Sequence, residues 1–143
     1  MKSSARNQWS GTICGFSKGA MTSEVRVRLE GGSEITSLVT NDAIDRLSIE
    51  PGKPLLVMVK ASAIALGLEF EGYATSAENQ LSGHIIELMS GSVTTVVRLQ
   101  LTMQDEVVAS ITSQSAETLG LRSGMLATAL FKSNAVILAT ESR

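Results

Sequence analysis

The stretch "MTSEVRVRLEGGSEITSLVT", Met21–Thr40, decides the fold. Met21, Ser23, Val25, Val27 and Leu29 alternate with Thr22, Glu24, Arg26 and Arg28, the period of two that turns one face of a strand to a core and the other to water. Gly19 stands where a turn should precede this strand. "GGS" at Gly31–Ser33 supplies the next turn, and a short strand follows to Val39. Then the period changes. Asn41 is the predicted N-cap of one or two helical turns, "DAIDRL", which end before Gly52. A last apolar strand, Leu55–Val59, meets Lys60.

The same text returns 72 positions later: Ser4–Leu66 aligns with Ser76–Leu138 without a gap, and 19 of the 63 pairs are identical. Chance at ordinary composition gives roughly four. In the second copy Val93, Thr95, Val97, Leu99 and Leu101 form the alternating face after Gly91, Ser113 is the predicted cap of "QSAETL", and Leu126–Phe131 runs into Lys132. Strand, strand, strand, short helix, strand predicts an all-β chain with one short helix per repeat, built as two tandem OB-like five-stranded Greek-key barrels. The predicted boundaries are a first repeat over 1–67, a linker over 68–75 within "GLEFEGYAT", and a second repeat over 76–143. A copy of this size has too little core to be stable alone, so the copies are expected to pack on each other and on further chains.

Composition narrows the partners. The 143 residues are 43% apolar with a net charge of -2, enough for a soluble core and too little field to gather nucleic acid or an anionic membrane. Aromatic residues are only 3%, and Trp9, Phe16, Phe70, Tyr73 and Phe131 are scattered, which argues against a stacking platform for single-stranded nucleic acid. No membrane-length apolar run or signal-peptide core is visible, and the single cysteine, Cys14, fits a reducing compartment; a cytoplasmic protein is expected. Catalysis finds little support. His84, the one histidine, aligns with Thr12 and has no fixed partner; Cys14 aligns with Ile86 and reads as a small buried hydrophobe; no carboxylate metal cage or phosphate loop is spaced in the chain.

What repeats most closely is polar. "SARNQWSG" at Ser4–Gly11 returns as "SAENQLSG" at Ser76–Gly83, and "KASA" at Lys60–Ala63 as "KSNA" at Lys132–Ala135. Hydroxyls, amides, cations and free backbone N–H groups are mostly donors, and a tetrahedral oxyanion only accepts, so two such phrases brought together suit an anion. Each residue also has an ordinary reading. Ser4 and Ser76 suit a strand start, Asn7 and Gln8 a bond to nearby backbone, Arg6 a solvated charge, and Lys60 and Lys132 charges that guard a strand edge. Side-chain chemistry alone does not choose.

"SARNQWSGTI", Gly19 opening an alternating strand, "VT" at Val39–Thr40, "PG" at Pro51–Gly52 and "VKAS" at Val59–Ser62 resemble the Mop repeat of molbindins, small molybdate-binding proteins of the Mop/TOBE-like kind. "SAENQLSGHI" and "FKSNAVIL" carry the resemblance a second time, giving the two-repeat, di-Mop arrangement over nearly the whole chain. The resemblance implies a homotrimer of OB-like repeats that holds molybdate or tungstate at interfaces by hydrogen bonds alone, for storage and homeostasis, with no prosthetic group, no direct protein–metal bond and no catalysis. By position its ligand residues fall on Ser4, Arg6, Lys60, Ala61 and Ser62, and on Ser76, Lys132 and Ser133, with Thr40, Thr112 and Ser115 near the short helices. The sequence departs from the pattern at Glu78, where the first copy has Arg6; a carboxylate facing a dianion opposes binding, so Glu78 is expected to turn away or to weaken that class of site. The alternative function is an OB-fold nucleic-acid binder or a ligand-sensing module acting with a separate partner, since three residues before Ser4 and five after Leu138 leave no room for a fused one.

Overall fold

The computed structural model describes residues 2–70 and 72–141; Glu71 of the predicted linker and the end residues Met1, Ser142 and Arg143 lie outside them. The first repeat runs β1 (Asn7–Lys18), β2 (Thr22–Leu29), β3 (Glu34–Thr40), α1 (Asn41–Leu47), β4 (Pro54–Val59), a 3₁₀ turn (Ala61–Ala63) and β5 (Ala65–Gly67). The second repeats it as β6 (Asn79–Ser90), β7 (Thr94–Leu101), β8 (Glu106–Thr112), α2 (Ser113–Leu119), β9 (Leu126–Phe131), a 3₁₀ turn (Ser133–Ala135) and β10 (Ile137–Ala139).

The predicted alternation is the register of the sheets. Val25, Val27 and Leu29 are buried while Glu24, Arg26 and Arg28 are exposed, and Thr22–Arg28 pairs antiparallel with Thr40–Glu34. Four strands lie in the order β4-β1-β2-β3, the Greek-key order, and β9-β6-β7-β8 repeats it. β1 reaches two neighbours because it is long and bends: Asn7–Thr12 pairs with β4 and Gly11–Lys18 with β2, with a bulge at Cys14. The equivalent bulge in β6 falls at Ile86. At the crossing point Gly83 is required, since a β-carbon there would collide with the Gln100 carbonyl.

The fifth strand of each sheet comes from the other repeat. β10 pairs with β4, placing Leu138 opposite Val57, and β5 pairs with β9, placing Leu66 opposite Ala129. The segments leading into these strands finish the job: the Ser133–Ala135 turn packs on β3 and the Ala61–Ala63 turn on β8, closing each curled sheet. One apolar cluster, from Ile13 and Val25 to Phe131 and Leu138, therefore runs through both sheets. Sequence pattern predicted two tandem barrels; the copies are interlocked as well.

Three local expectations are corrected. Thr40 and Thr112, not Asn41 and Ser113, cap the helices: each threonine is extended and its hydroxyl accepts from the Ala43 or Ser115 amide, both at 3.1 Å. Asn41 and Ser113 are the first helical residues, and their side chains reach back to the Gly19 and Gly91 carbonyls, tying each helix to the turn before β2 or β7. Met21 and Val93 stand just outside the strands, 82% and 74% exposed, and their carbonyls accept from the Asn41 and Ser113 amides. Cys14 is exposed rather than buried, turned out by the bulge.

Candidate functional site

Asn7, in the middle of the repeated phrase, is 2% exposed and makes three hydrogen bonds. Its amide donates to Val108 O (2.7 Å) and Val59 O (3.2 Å), and its carbonyl accepts from Val108 N (2.7 Å), so it mimics a stretch of backbone spanning from β1 to β8. Asn79 does the same between β6 and β3, accepting from Thr36 N at 2.8 Å and donating to Thr36 O at 2.9 Å. Trp9 donates to Glu106 O (2.8 Å), which commits the indole to packing between the sheets. Gln8 and Gln80 brace the loops before their strands through Ser3 and Thr75. Part of the phrase is thus structural: it pins the start of each repeat onto the third strand of the other.

What remains is held at the strand ends. Asn7 pairs with Val59, so the residues leading into β1, Ser4 and Arg6, and those leaving β4, Lys60, Ala61 and Ser62, lie at the same end of this strand pair. Arg6, Lys60, Ser4 and Ser62 are exposed, Ala61 is buried within the 3₁₀ turn, and among the described residues none of the Arg6 and Lys60 side chains or the Ala61 and Ser62 amides has a protein hydrogen-bond partner. This end of the strand pair carries two cations and two amides with, among the described residues, no carboxylate bound to them, a set of groups that can take an anion by charge-assisted hydrogen bonds.

The second copy has the same frame and a different occupant. Asn79 pairs with Phe131, placing Glu78 and Ser76 beside Lys132 and Ser133. Glu78 turns toward Ser133. Its Oε1 accepts from the Ser133 amide at 3.0 Å, its Oε2 lies 3.6 Å from Lys132 Nζ, and Lys132 donates to Ser76 O at 2.8 Å. The Ser133 amide, then Glu78's own amide and the Lys132 charge, hold this carboxyl below its ordinary value of 4.5. The formal charge of the paired side chains is +2 at Arg6 and Lys60 and zero at Glu78 and Lys132.

Thr40, Thr112 and Ser115 are not drawn into either cluster; they sit at the helix starts, where Thr112 caps α2 and also donates to Ser115 Oγ at 2.7 Å. His84 is exposed on β6. Among the described residues no three His, Cys, Asp or Glu side chains gather as a metal site, and no helix is long and apolar enough to cross a membrane. A groove of about 1040 Å³ between Ser10, Cys14, Arg28, Lys53 and Thr140 contains none of the predicted ligand residues. Sequence reasoning missed the cross-repeat bonds of Asn7 and Asn79; their only signal was two asparagines at equivalent places beside apolar strands.

Two interlocked Greek-key repeats, each with polar groups placed where its first strand begins and its fourth ends, make up the chain. Residues 3–66 and 75–138 each match the TOBE domain, and the chain belongs to that family. It is similar over 99% of its length to the cytoplasmic molybdate-binding protein ModG, solved with molybdate bound, with a TM-score of 0.93, 34% identity and 100% of that chain covered. It is 36% identical over 141 residues to the molybdenum transport protein ModE of Herbaspirillum seropedicae, covering 99% of this chain and 52% of that one. The molybdenum-pterin-binding protein MopA of Rhodobacter capsulatus is 34% identical over 139 residues, 97% of this chain and 52% of the relative. The chain thus spans about half the length of these curated relatives.

Proposed function

We propose that this protein binds molybdate, or tungstate, reversibly in the cytoplasm and stores or buffers it without converting it. The observation that carries the reading is the end-to-end likeness to ModG, a protein seen holding molybdate. The open cluster of Arg6, Lys60 and the Ala61 and Ser62 amides supplies donors of the chemistry that likeness asks for, with Ser4 beside them. Ser76, Lys132 and Ser133 are the matching set in the second repeat, and Thr40, Thr112 and Ser115 are contributors from the helix starts of neighbouring chains. A single cluster offers donors on one side only, so the ion is enclosed where copies meet, and the assembly is a homotrimer. The sequence units, 1–67 and 76–143 around the 68–75 linker, each bring one such set.

Binding by hydrogen bonds alone needs no proton transfer and no covalent step, so the protein is a carrier rather than an enzyme. Titration calorimetry with sodium molybdate should give saturable binding. Arg6→Ala and Lys60→Ala should each weaken it about tenfold or more, the loss of a charge-assisted hydrogen bond of about 1.5–3 kcal/mol. Unchanged isotherms in both variants would reject the site.

A second reading has one observation in its favour: the match to ModE of Escherichia coli, a DNA-binding transcriptional dual regulator about twice as long. There the same binding would serve sensing, with the ion-bound form read by another protein region.

A further inference from the structure

We propose that Glu78 is a tethered carboxylate occupying the second-repeat copy of the anion cradle, so that each chain carries one open cradle and one filled by its own side chain. The inference rests on the oxyanion-binding reading above and adds to it which cradle is available.

A carboxylate is, like a tetrahedral oxyanion, a negatively charged group that only accepts hydrogen bonds. Glu78 takes the donors an oxyanion would need: the Ser133 amide at 3.0 Å and, at 3.6 Å, the Lys132 ammonium. Lys132 is further anchored on Ser76 O at 2.8 Å, so its charge is directed to this spot. The equivalent atoms in the first repeat, the Ala61 amide and Lys60 Nζ, have no protein partner among the described residues. Arg6 stands in the place of Glu78 and has no acceptor to offer them. One substitution therefore inverts the state of the cradle: a donor at position 6 leaves it empty and adds charge, whereas an acceptor at 78 fills it and cancels charge.

Tethering makes the competition one-sided. A side chain linked through its own backbone competes at an effective concentration on the order of millimolar or more. A dianion entering the second cradle must displace Glu78 and then lie beside the displaced negative charge. The frame itself is intact, since Asn79 and the Ser133–Ala135 turn hold the second strand ends as Asn7 and the Ala61–Ala63 turn hold the first. Removing the carboxylate should therefore release a working cradle.

The test is a backbone amide NMR titration of the full chain with sodium molybdate, following Ala61, Ser62 and Ser133. In the wild-type protein, Ala61 and Ser62 should shift to saturation while Ser133 stays fixed at concentrations up to ten times those that saturate Ala61. In Glu78→Ala, and in Glu78→Arg, which restores the first-repeat residue, Ser133 should shift as well, at least tenfold more readily than in the wild type. Shifts of Ser133 in the wild type at the same concentration as Ala61 would overturn this proposal and leave oxyanion binding standing. A Ser133 amide that ignores molybdate in both variants, with Ala61 still responding, would overturn it equally. If no amide responds in any form, the binding reading falls and this inference with it.

Discussion

Arg6 and Glu78 occupy the same place in two copies of one phrase, and the backbone around them is the same. The difference in their neighbours follows from charge and hydrogen-bonding sense alone. Glu78 also brings a pH dependence whose sign is fixed by its lowered pKa. The carboxylate stabilises the fold in full above the ordinary value of 4.5, and that contribution is lost as pH falls through the lower value of the folded state. In urea titrations, wild type should exceed Glu78→Gln near neutrality, and the gap should close in acid; a gap that widens in acid would contradict the assignment. Asn7 makes a different prediction. Replacing it with Ala leaves the amide and carbonyl of Val108 without a partner at a buried seam, at a cost of about 2–4 kcal/mol. Denaturant midpoints of Asn7→Ala and Asn79→Ala should both fall, and wild-type midpoints would show that the seam is not what joins the sheets.

At the scale of elements, β2, β3, β7 and β8 were legible because alternation and Gly-rich turns are local signals; Val25, Val27, Val97 and Leu99 are buried as that pattern requires. The helices were legible too, but their caps slipped by one residue, since Asn41 and Ser113 have good capping chemistry and spend it on Gly19 and Gly91 instead. The candidate ligand residues came from the resemblance to the Mop repeat and not from side-chain chemistry; the register of Asn7 with Val59, and of Asn79 with Phe131, sets the two repeated phrases of each copy at the same end of a strand pair. The exchange of β5 and β10 was not legible. Three-residue strands carry too little pattern, and "ALG" and "ILA" would fit either sheet. Nor was the turn of Glu78 toward Ser133, which depends on a free amide there that composition does not reveal. A deletion of Ile137–Ala139 should open the edge of β4 and remove Leu138 from the shared core, which predicts a lower denaturant midpoint for the whole cooperative transition; an unchanged midpoint would contradict the exchange.

For the whole molecule, exchanged strands and a shared apolar cluster mean that neither sheet is complete without the other repeat. Calorimetry should show one transition with equal calorimetric and van't Hoff enthalpies per cooperative unit, and two separable transitions would contradict interlocking. The same interlocking fixes where the donor clusters lie: each is set at the strand ends of one repeat and pressed on the third strand of the other, so the fold presents them at fixed places on its surface. The most direct test of the account is native mass spectrometry of the intact protein with and without molybdate. The account predicts a trimer that gains discrete molybdate masses, and loses them in the Arg6→Ala, Lys60→Ala double variant at the same concentration. A wild-type protein that gains no such mass, or a double variant that gains as many ions as the wild type, would contradict it.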